Sequence, residues 1–138
     1  MSKGRCGKMA NDLKEFQSSV DTYLIRHRSV LDVLTKLQES SARVSRSFAK
    51  AVTECGCIEV HADKQVTGTS TTYEELKECM SSHIDRQLCK DCREVLSQEM
   101  GATLFYQAAL CQLMGLDLED ILDGELKRIQ TLGFFHLT

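Results

Sequence analysis

Two closely spaced pairs of cysteines constrain the fold of this chain more than any other feature of its sequence. The pairs are Cys55-x-Cys57 and Cys89-x-x-Cys92, and residues 58–88 separate them. Each pair can hold two sulfur atoms about 3.5–4 Å apart, as tetrahedral zinc with Zn–S bonds of about 2.3 Å requires. Four thiolates would leave no position open for water, so the sequence predicts a structural zinc site. Such a site would join segments that are distant along the chain.

The number of cysteines argues against a disulfide framework. The chain has seven, an odd number, and no apolar segment follows the charged N-terminus as in a signal peptide. We therefore expect a cytoplasmic protein with reduced thiols. Three alternatives to zinc stay open: an iron–sulfur cluster, although the spacing differs from ferredoxin motifs, a redox pair of Cys89 and Cys92, and no metal. Cys79 and His61 are candidate substitutes if one of the four cysteines is not a ligand.

The absence of proline and the spacing of apolar residues predict an all-α fold. With 138 residues and no proline, the chain lacks the strongest helix breaker and is long enough for one domain over 1–138. Apolar residues recur every three or four positions, as on one face of a helix. The resulting prediction is a bundle of four to five helices with a short extended arm at about 57–66.

Capping motifs and glycines predict the ends of these helices. The predicted helices lie at about 11–26 (capped by Asp12 with Glu15), at about 28–53, after Thr72 (capped with Glu75), at about 91–114 (Asp91 with Glu94), and from Asp117 to Gly133.

The apolar tail at 134–138 is expected to dock on the body of the protein or on a neighbouring chain. Two helices carry apolar stripes that we expect to face the core. The stripes are Val30, Leu31, Leu34, Leu37, Val44, Phe48 and Val52 in the second helix, and Leu118, Ile121, Leu122, Leu126 and Ile129 in the last. The third helix is predicted to include Leu76, Met80, His83 and Ile84.

Charge and hydropathy argue against two classes of partner. The formal net charge is -3, which is too close to neutral to indicate a nucleic-acid-binding or membrane-surface protein. The sequence contains no run of about 18 apolar residues, so no membrane span is predicted.

The fourth predicted helix resembles a helix of a known family. The run at 93–106, REVLSQEMGATLFY, together with LMGLDLE at 113–119, is similar to the second metal-binding helix of MazG-like nucleoside triphosphate pyrophosphohydrolases. The resemblance covers about 28–55 and 91–133, and the cysteine-containing chain looks like a bacterial offshoot of that family. It implies an all-α homo-oligomer, expected as a dimer, that cleaves nucleoside triphosphates with Mg²⁺.

The acidic motifs of that family are incomplete in this chain. The family carries E-x-x-E on one helix and E-x-x-D on a later one, and residues three apart share a helix face. Glu39 and Glu99 match the first acid of each motif, whereas Ala42 and Ala102 occupy the second positions. Because Mg²⁺ gives up its waters reluctantly, the loss of two carboxylates weakens the expected metal site.

A different alignment takes Glu75-x-x-Glu78 as a complete first motif on the shorter third helix. Two functions therefore stay open beside thiol redox sensing. One is a MazG-like protein that binds or slowly hydrolyses nucleoside triphosphates, with Glu39 and Glu99 in its site. The other is a non-catalytic, zinc-stapled helical module that dimerises and binds a partner.

Overall fold

The computed structural model describes residues 3–68 and 72–135 and has an all-α fold, as the sequence predicts. None of the helices in these residues is long and apolar enough to cross a membrane. The elements are helices α1 (Lys3–Tyr23) and α2 (Val30–Lys50), a π-helical turn (Ala51–Cys55), strand β1 (Ile58–Val60), helix α3 (Tyr73–Cys79), strand β2 (Ile84–Arg86), helices α4 (Lys90–Met114) and α5 (Leu118–Leu132), and a 3-10 turn (Gly133–Phe135).

The described residues divide into two compact units. Those of Met1–Ala42 and Glu99–Thr138 form the core unit, and Arg43–Gln98 forms the cysteine unit. A compact unit need not fold by itself, so a single domain over 1–138 stays a prediction.

The centre of the core unit is a small group of buried side chains from three helices. Val20 and Leu24 come from α1, Val33 from α2, and Ala108 and Ala109 from α4. The one-turn spacing of Val20 and Leu24 puts both on one face of α1, and the small alanines let the helices pack closely. Partly buried apolar side chains surround this group: Phe16, Phe105, Leu110, Leu113 and Leu118.

The buried face of α2 differs from the predicted one. Val33 and Ser40, seven positions apart on one face, are buried. The Ser40 hydroxyl donates a hydrogen bond of 2.9 Å to the carbonyl oxygen of Leu37, so its polar group is satisfied inside the protein. A search for apolar periodicity does not detect a buried serine. The predicted apolar stripe was therefore wrong at the start of α2. The residues wrongly predicted to face the core are Val30, Leu31 and Leu34, all of which are exposed.

Helix α5 is exposed where the sequence predicts burial. The protein holds it at its N-terminal end, where Gln17 of α1 accepts a hydrogen bond from the backbone N–H of Leu118 and donates one to the carbonyl of Leu116, both at 2.8 Å. No residue within α5 is buried. The prediction of an inward stripe was therefore wrong at four positions, which are 43% to 48% exposed: Ile121 43%, Leu122 48%, Leu126 48% and Ile129 46%.

Several predicted helix ends are correct. The Asp117 carboxylate accepts a hydrogen bond of 2.8 Å from the backbone N–H of Glu119 and so caps α5. Gly133, with a positive φ of 53°, follows the last residue of α5. Thr72 and Glu75 form the predicted capping box at the start of α3.

Other boundaries were wrong. Helix α1 begins at Lys3, so Asp12 lies inside the helix and does not cap it. The end of the second helix is not among these errors, because the π-helical turn continues α2 to Cys55, close to the predicted end at about 53. Helix α3 ends at Cys79, and Ile84 belongs to strand β2. Of the predicted docking tail, residues 136–138 lie outside the described residues.

Candidate metal centre

The antiparallel pairing of β1 with β2 brings the two cysteine pairs together. In this register Ile58, the first residue of β1, lies opposite Arg86, the last residue of β2. Because antiparallel strands run in opposite directions, the start of one lies beside the end of the other. Cys57 precedes β1 and Cys89 follows β2, so both thiols lie at the same end of the strand pair.

Cys55 and Cys57 flank a glycine turn at the end of the second helical segment. The π-helical turn ends at Cys55, and Gly56 adopts a left-handed backbone conformation with φ of 71°. Residues with a Cβ are strained in that conformation. Gly56 therefore provides the turn between the two thiols. The Cys57 sulfur lies 3.8 Å from the carbonyl oxygen of Ala51.

Cys89 caps helix α4, and Cys92 lies in the first turn of that helix. The Cys89 carbonyl accepts a helical hydrogen bond of 3.0 Å from the N–H of Arg93, and its Sγ lies 3.4 Å from the donating backbone nitrogen of Cys92. The predicted cap, Asp91, was wrong because α4 begins one residue before it. The Cys89 sulfur takes the place that a serine or aspartate oxygen has at other helix N-termini.

The four sulfur atoms form one cluster. The Sγ atoms of Cys55, Cys57, Cys89 and Cys92 all lie within 4.8 Å of one another, and those of Cys55 and Cys89 are 3.9 Å apart. In a tetrahedral ZnS₄ centre with bonds of about 2.3 Å, sulfur atoms are about 3.8 Å apart. The donor atoms and their spacing therefore fit a tetrahedral metal ion. Across the described part of the chain, these four are the group of His, Cys, Asp or Glu side chains placed to share one ion.

The electrostatics of the cluster favour a bound cation. The hydrogen bond from the backbone N–H of Cys92 lowers the pKa of the Cys89 thiol to about 7. The interaction with the Cys89 sulfur, followed by partial removal from water, raises the pKa of Cys92 to about 12. Neighbouring thiolates repel one another, so the cluster without a metal resists full ionisation. A divalent cation would offset that repulsion and let all four thiols ionise.

The two candidate substitutes lie outside the cluster. Nε2 of His61 is 3.4 Å from a carboxylate oxygen of Glu59 and 3.6 Å from one of Asp85, so the imidazole lies among acids of the strand pair. Glu59 also forms an ion pair with Arg86 at 2.5 Å. Cys79 is exposed at the end of α3.

The acids of the family resemblance lie on α2 and α4 within the core unit. Glu39 is exposed and forms an ion pair of 2.7 Å with Lys36, one turn earlier. Glu99 is half-buried. Neither belongs to a group of three or more metal-ligand side chains among the described residues. Their role as metal ligands stays a prediction.

The alternative acidic motif lies on α3 in the cysteine unit. The Glu75 carboxylate accepts a hydrogen bond of 3.3 Å from the backbone N–H of Thr72, so it serves the capping box. Glu78 is exposed. This assignment also stays a prediction.

Comparison with known proteins identifies no relative of this chain. No family model, no curated protein and no solved structure matches the chain significantly. The resemblance to MazG-like proteins therefore stays a prediction from the sequence motifs.

Sequence reasoning missed strand β2 and the backbone geometry around it. A strand of three residues is too short to show a clear alternation of apolar and polar positions. His83 and Arg86 have positive φ values of 58° and 68°, which neither residue type signals in a sequence. The tertiary pairing with β1 stabilises a segment whose local sequence does not specify a strand.

The glycine between Cys55 and Cys57 provides a test of the cluster geometry. We expect Gly56→Ala to destabilise the protein by about 1 kcal/mol, because a left-handed conformation costs a non-glycine residue about 1–2 kcal/mol. The strain is in the backbone alone, since an added Cβ would meet nothing within 4 Å. Denaturant unfolding measures the change.

Gly101, inside α4, is the matched control. An added Cβ there also meets nothing within 4 Å, and the backbone is helical. Gly101→Ala should therefore stabilise the protein by about 0.5–1 kcal/mol. Effects of the same sign at both glycines would contradict the role given to Gly56.

Proposed function

We propose that this protein is a non-catalytic helical module in which the four-cysteine cluster holds one structural Zn²⁺. The observation that carries the proposal is the convergence of the Sγ atoms of Cys55, Cys57, Cys89 and Cys92 within 4.8 Å of one another. Thiolates suit Zn²⁺ and disfavour hard cations such as Mg²⁺. Four of them fill the tetrahedral shell, leaving no position for the water that a catalytic zinc activates.

The role of the metal follows from the segments that the cysteines connect. Between the two cysteine pairs, the structure describes two strands of three residues each and a helix of seven residues. A two-stranded pair of this size is marginal in water by itself. A bound ion would join the end of the π-helical turn to the start of α4 and hold β1 against β2. Metal binding would then contribute directly to folding.

Metal content is the direct test of this proposal. We expect one zinc per chain in the purified protein, measured by mass spectrometry of the metals. Removal of zinc with a chelator should lower Tm by about 10 °C or more, because binding energy is lost from the folded state. Cys89→Ser should abolish stoichiometric zinc binding.

Cys79→Ser is the control, because Cys79 is an exposed thiol outside the cluster. It should keep full zinc occupancy. Protein that contains no metal and keeps its Tm in chelator would contradict the proposal. Iron in the purified protein, together with visible absorption, would indicate an iron–sulfur cluster instead of zinc. A reversible change in thiol count with peroxide would favour redox sensing.

The exposed stripe of α5 supports a second part of the proposal, which is that the module forms a dimer through this helix. Large apolar side chains on one helix face mark an interaction surface when nothing in the protein covers them. Antiparallel pairing with the α5 of a second copy would bury the exposed stripes of both helices against each other, and such pairing has the twofold symmetry typical of homodimers.

A charge placed in the stripe should separate the dimer. We expect Ile129→Asp to convert dimer to monomer in sedimentation velocity, because the new carboxylate would be buried without a partner. Thr131 is exposed and points away from the stripe, so Thr131→Asp introduces the same charge at the same end of α5 and should leave the dimer intact. A monomeric unmodified protein, or equal effects of the two variants, would contradict pairing through α5.

The second candidate function is nucleoside triphosphate pyrophosphohydrolysis. It is favoured by one observation: Glu39 and Glu99 belong to the same unit, on two helices whose buried residues share one core. A site built from two acids would hold Mg²⁺ weakly. Slow turnover or nucleotide binding without turnover would follow.

Calorimetry with a panel of nucleoside triphosphates, together with pyrophosphate release, tests this candidate. If it holds, Mg²⁺-dependent binding should fall about tenfold or more in Glu99→Gln, because a metal-ligand charge is lost. Glu94→Gln changes another acid of α4, whose carboxylate accepts a hydrogen bond of 3.4 Å from the Gln98 side chain, and it should have no effect. Absence of both binding and pyrophosphate would eliminate this function.

A further inference from the structure

A cleft in the core unit combines aromatic walls with an arginine that has no partner among the described residues. It lies between the C-terminal end of α1, the loop that follows, and the middle of α4, and its volume is about 300 Å³. Phe105 and Tyr106 line it from α4, while Arg26 and His27 line it from the loop. Tyr23 stands at its rim and is 73% exposed.

The aromatic wall is held in place by the core. Phe105 packs against the buried group of α1, α2 and α4, and its ring meets that of Tyr106 edge to face, with centroids 5.3 Å apart and planes at 85°. Both residues are half-buried. Such rings offer a fixed apolar surface on which another planar ring can stack.

The charge of the cleft is positive. Arg26 forms no hydrogen bond or ion pair with the described residues, and none of the cleft's described lining residues is acidic. Its neighbour Arg28 differs, since it pairs with Asp21 at 3.7 Å and donates to the carbonyl of Leu24 at 3.2 Å. A guanidinium without an internal partner is suited to a planar anionic group such as a carboxylate or phosphate.

We propose that this cleft binds a small aromatic anion, with its ring against Phe105 and Tyr106 and its carboxylate or phosphate on Arg26. His27 lies beside Arg26 and offers a ring nitrogen as a second donor. The volume is at the lower end of the range for ligand pockets, about 300–1,000 Å³, which suits a single ring with one anionic substituent. The cleft belongs to the core unit and the thiol cluster to the cysteine unit, so this site is independent of the zinc proposal.

Four probes separate the contributions of ring and charge. They are phenyl phosphate, benzoate, benzyl alcohol and inorganic phosphate, each titrated into the full-length protein without added Mg²⁺ and followed by saturation-transfer NMR and calorimetry. We expect phenyl phosphate or benzoate to bind at least about tenfold more tightly than benzyl alcohol and inorganic phosphate, because only the first two use both parts of the cleft. The anion that binds identifies the preferred head group.

Variants of the two neighbouring arginines assign the site. Arg26→Gln should weaken binding of the aromatic anion about tenfold, whereas Arg28→Gln, which removes the arginine already paired with Asp21, should leave it unchanged. Arg26→Lys keeps the charge without the planar fork and should give an intermediate affinity. Glu99→Gln should have no effect, which separates this site from the nucleotide candidate.

Three results would overturn the proposal. The first is no binding of either aromatic anion at millimolar concentration. The second is equal binding of benzyl alcohol, which would reduce the cleft to an apolar surface. The third is an equal loss in Arg26→Gln and Arg28→Gln while circular dichroism shows both variants folded, which would place the effect in general surface charge.

Discussion

The antiparallel pairing of β1 with β2 is the constraint on which the cysteine unit depends. Each strand has only three residues, yet their register decides which residues share one end of the pair. A slip of one residue in this register would turn the side chain of Ile58, which is buried, to the opposite face of the strand pair. It would also change the position of Cys57 relative to Cys89. Burial of Ile58 and convergence of the thiols therefore support the same register. The exposed ion pairs along the strands add little to it.

Cys89 links the thiol cluster to the longest helix of the described chain. Its sulfur accepts the N–H of Cys92 at the start of α4, where the helix dipole favours a negative charge. The same helix carries Ala108 and Ala109, which are buried in the core. Helix α4 thus carries a cysteine of the cluster in its first turn and buried core residues near its other end. A thiolate at the N-cap would stabilise both the helix terminus and a bound cation.

Among the residues of the core unit whose burial is described, few side chains are buried for its number of helices. Its centre holds two alanines and three larger residues, Val20, Leu24 and Val33, each of which contributes roughly 1.5–3 kcal/mol when fully buried. Much apolar surface on α5 remains in contact with solvent. A second copy on α5 would add buried apolar area that the single chain lacks. The aromatic cleft is separate from the exposed face of α5 and is smaller than that face. Its positive charge suits a ligand better than it suits a helix.

The sequence alone determined the helical class, the caps at Thr72 and Asp117, and the identity of the two cysteine pairs, because each is set by residues close in the chain. Local hydrogen bonds set the caps, and the short spacing of each cysteine pair sets how far apart its two sulfurs can lie. Only the tertiary structure decided that β2 exists, that the two cysteine pairs meet, and that Ser40 is buried while α5 is exposed. These outcomes depend on which surfaces meet across long separations in the chain. Amphipathic periodicity shows that α5 has an apolar face, but it does not show whether the same chain covers that face.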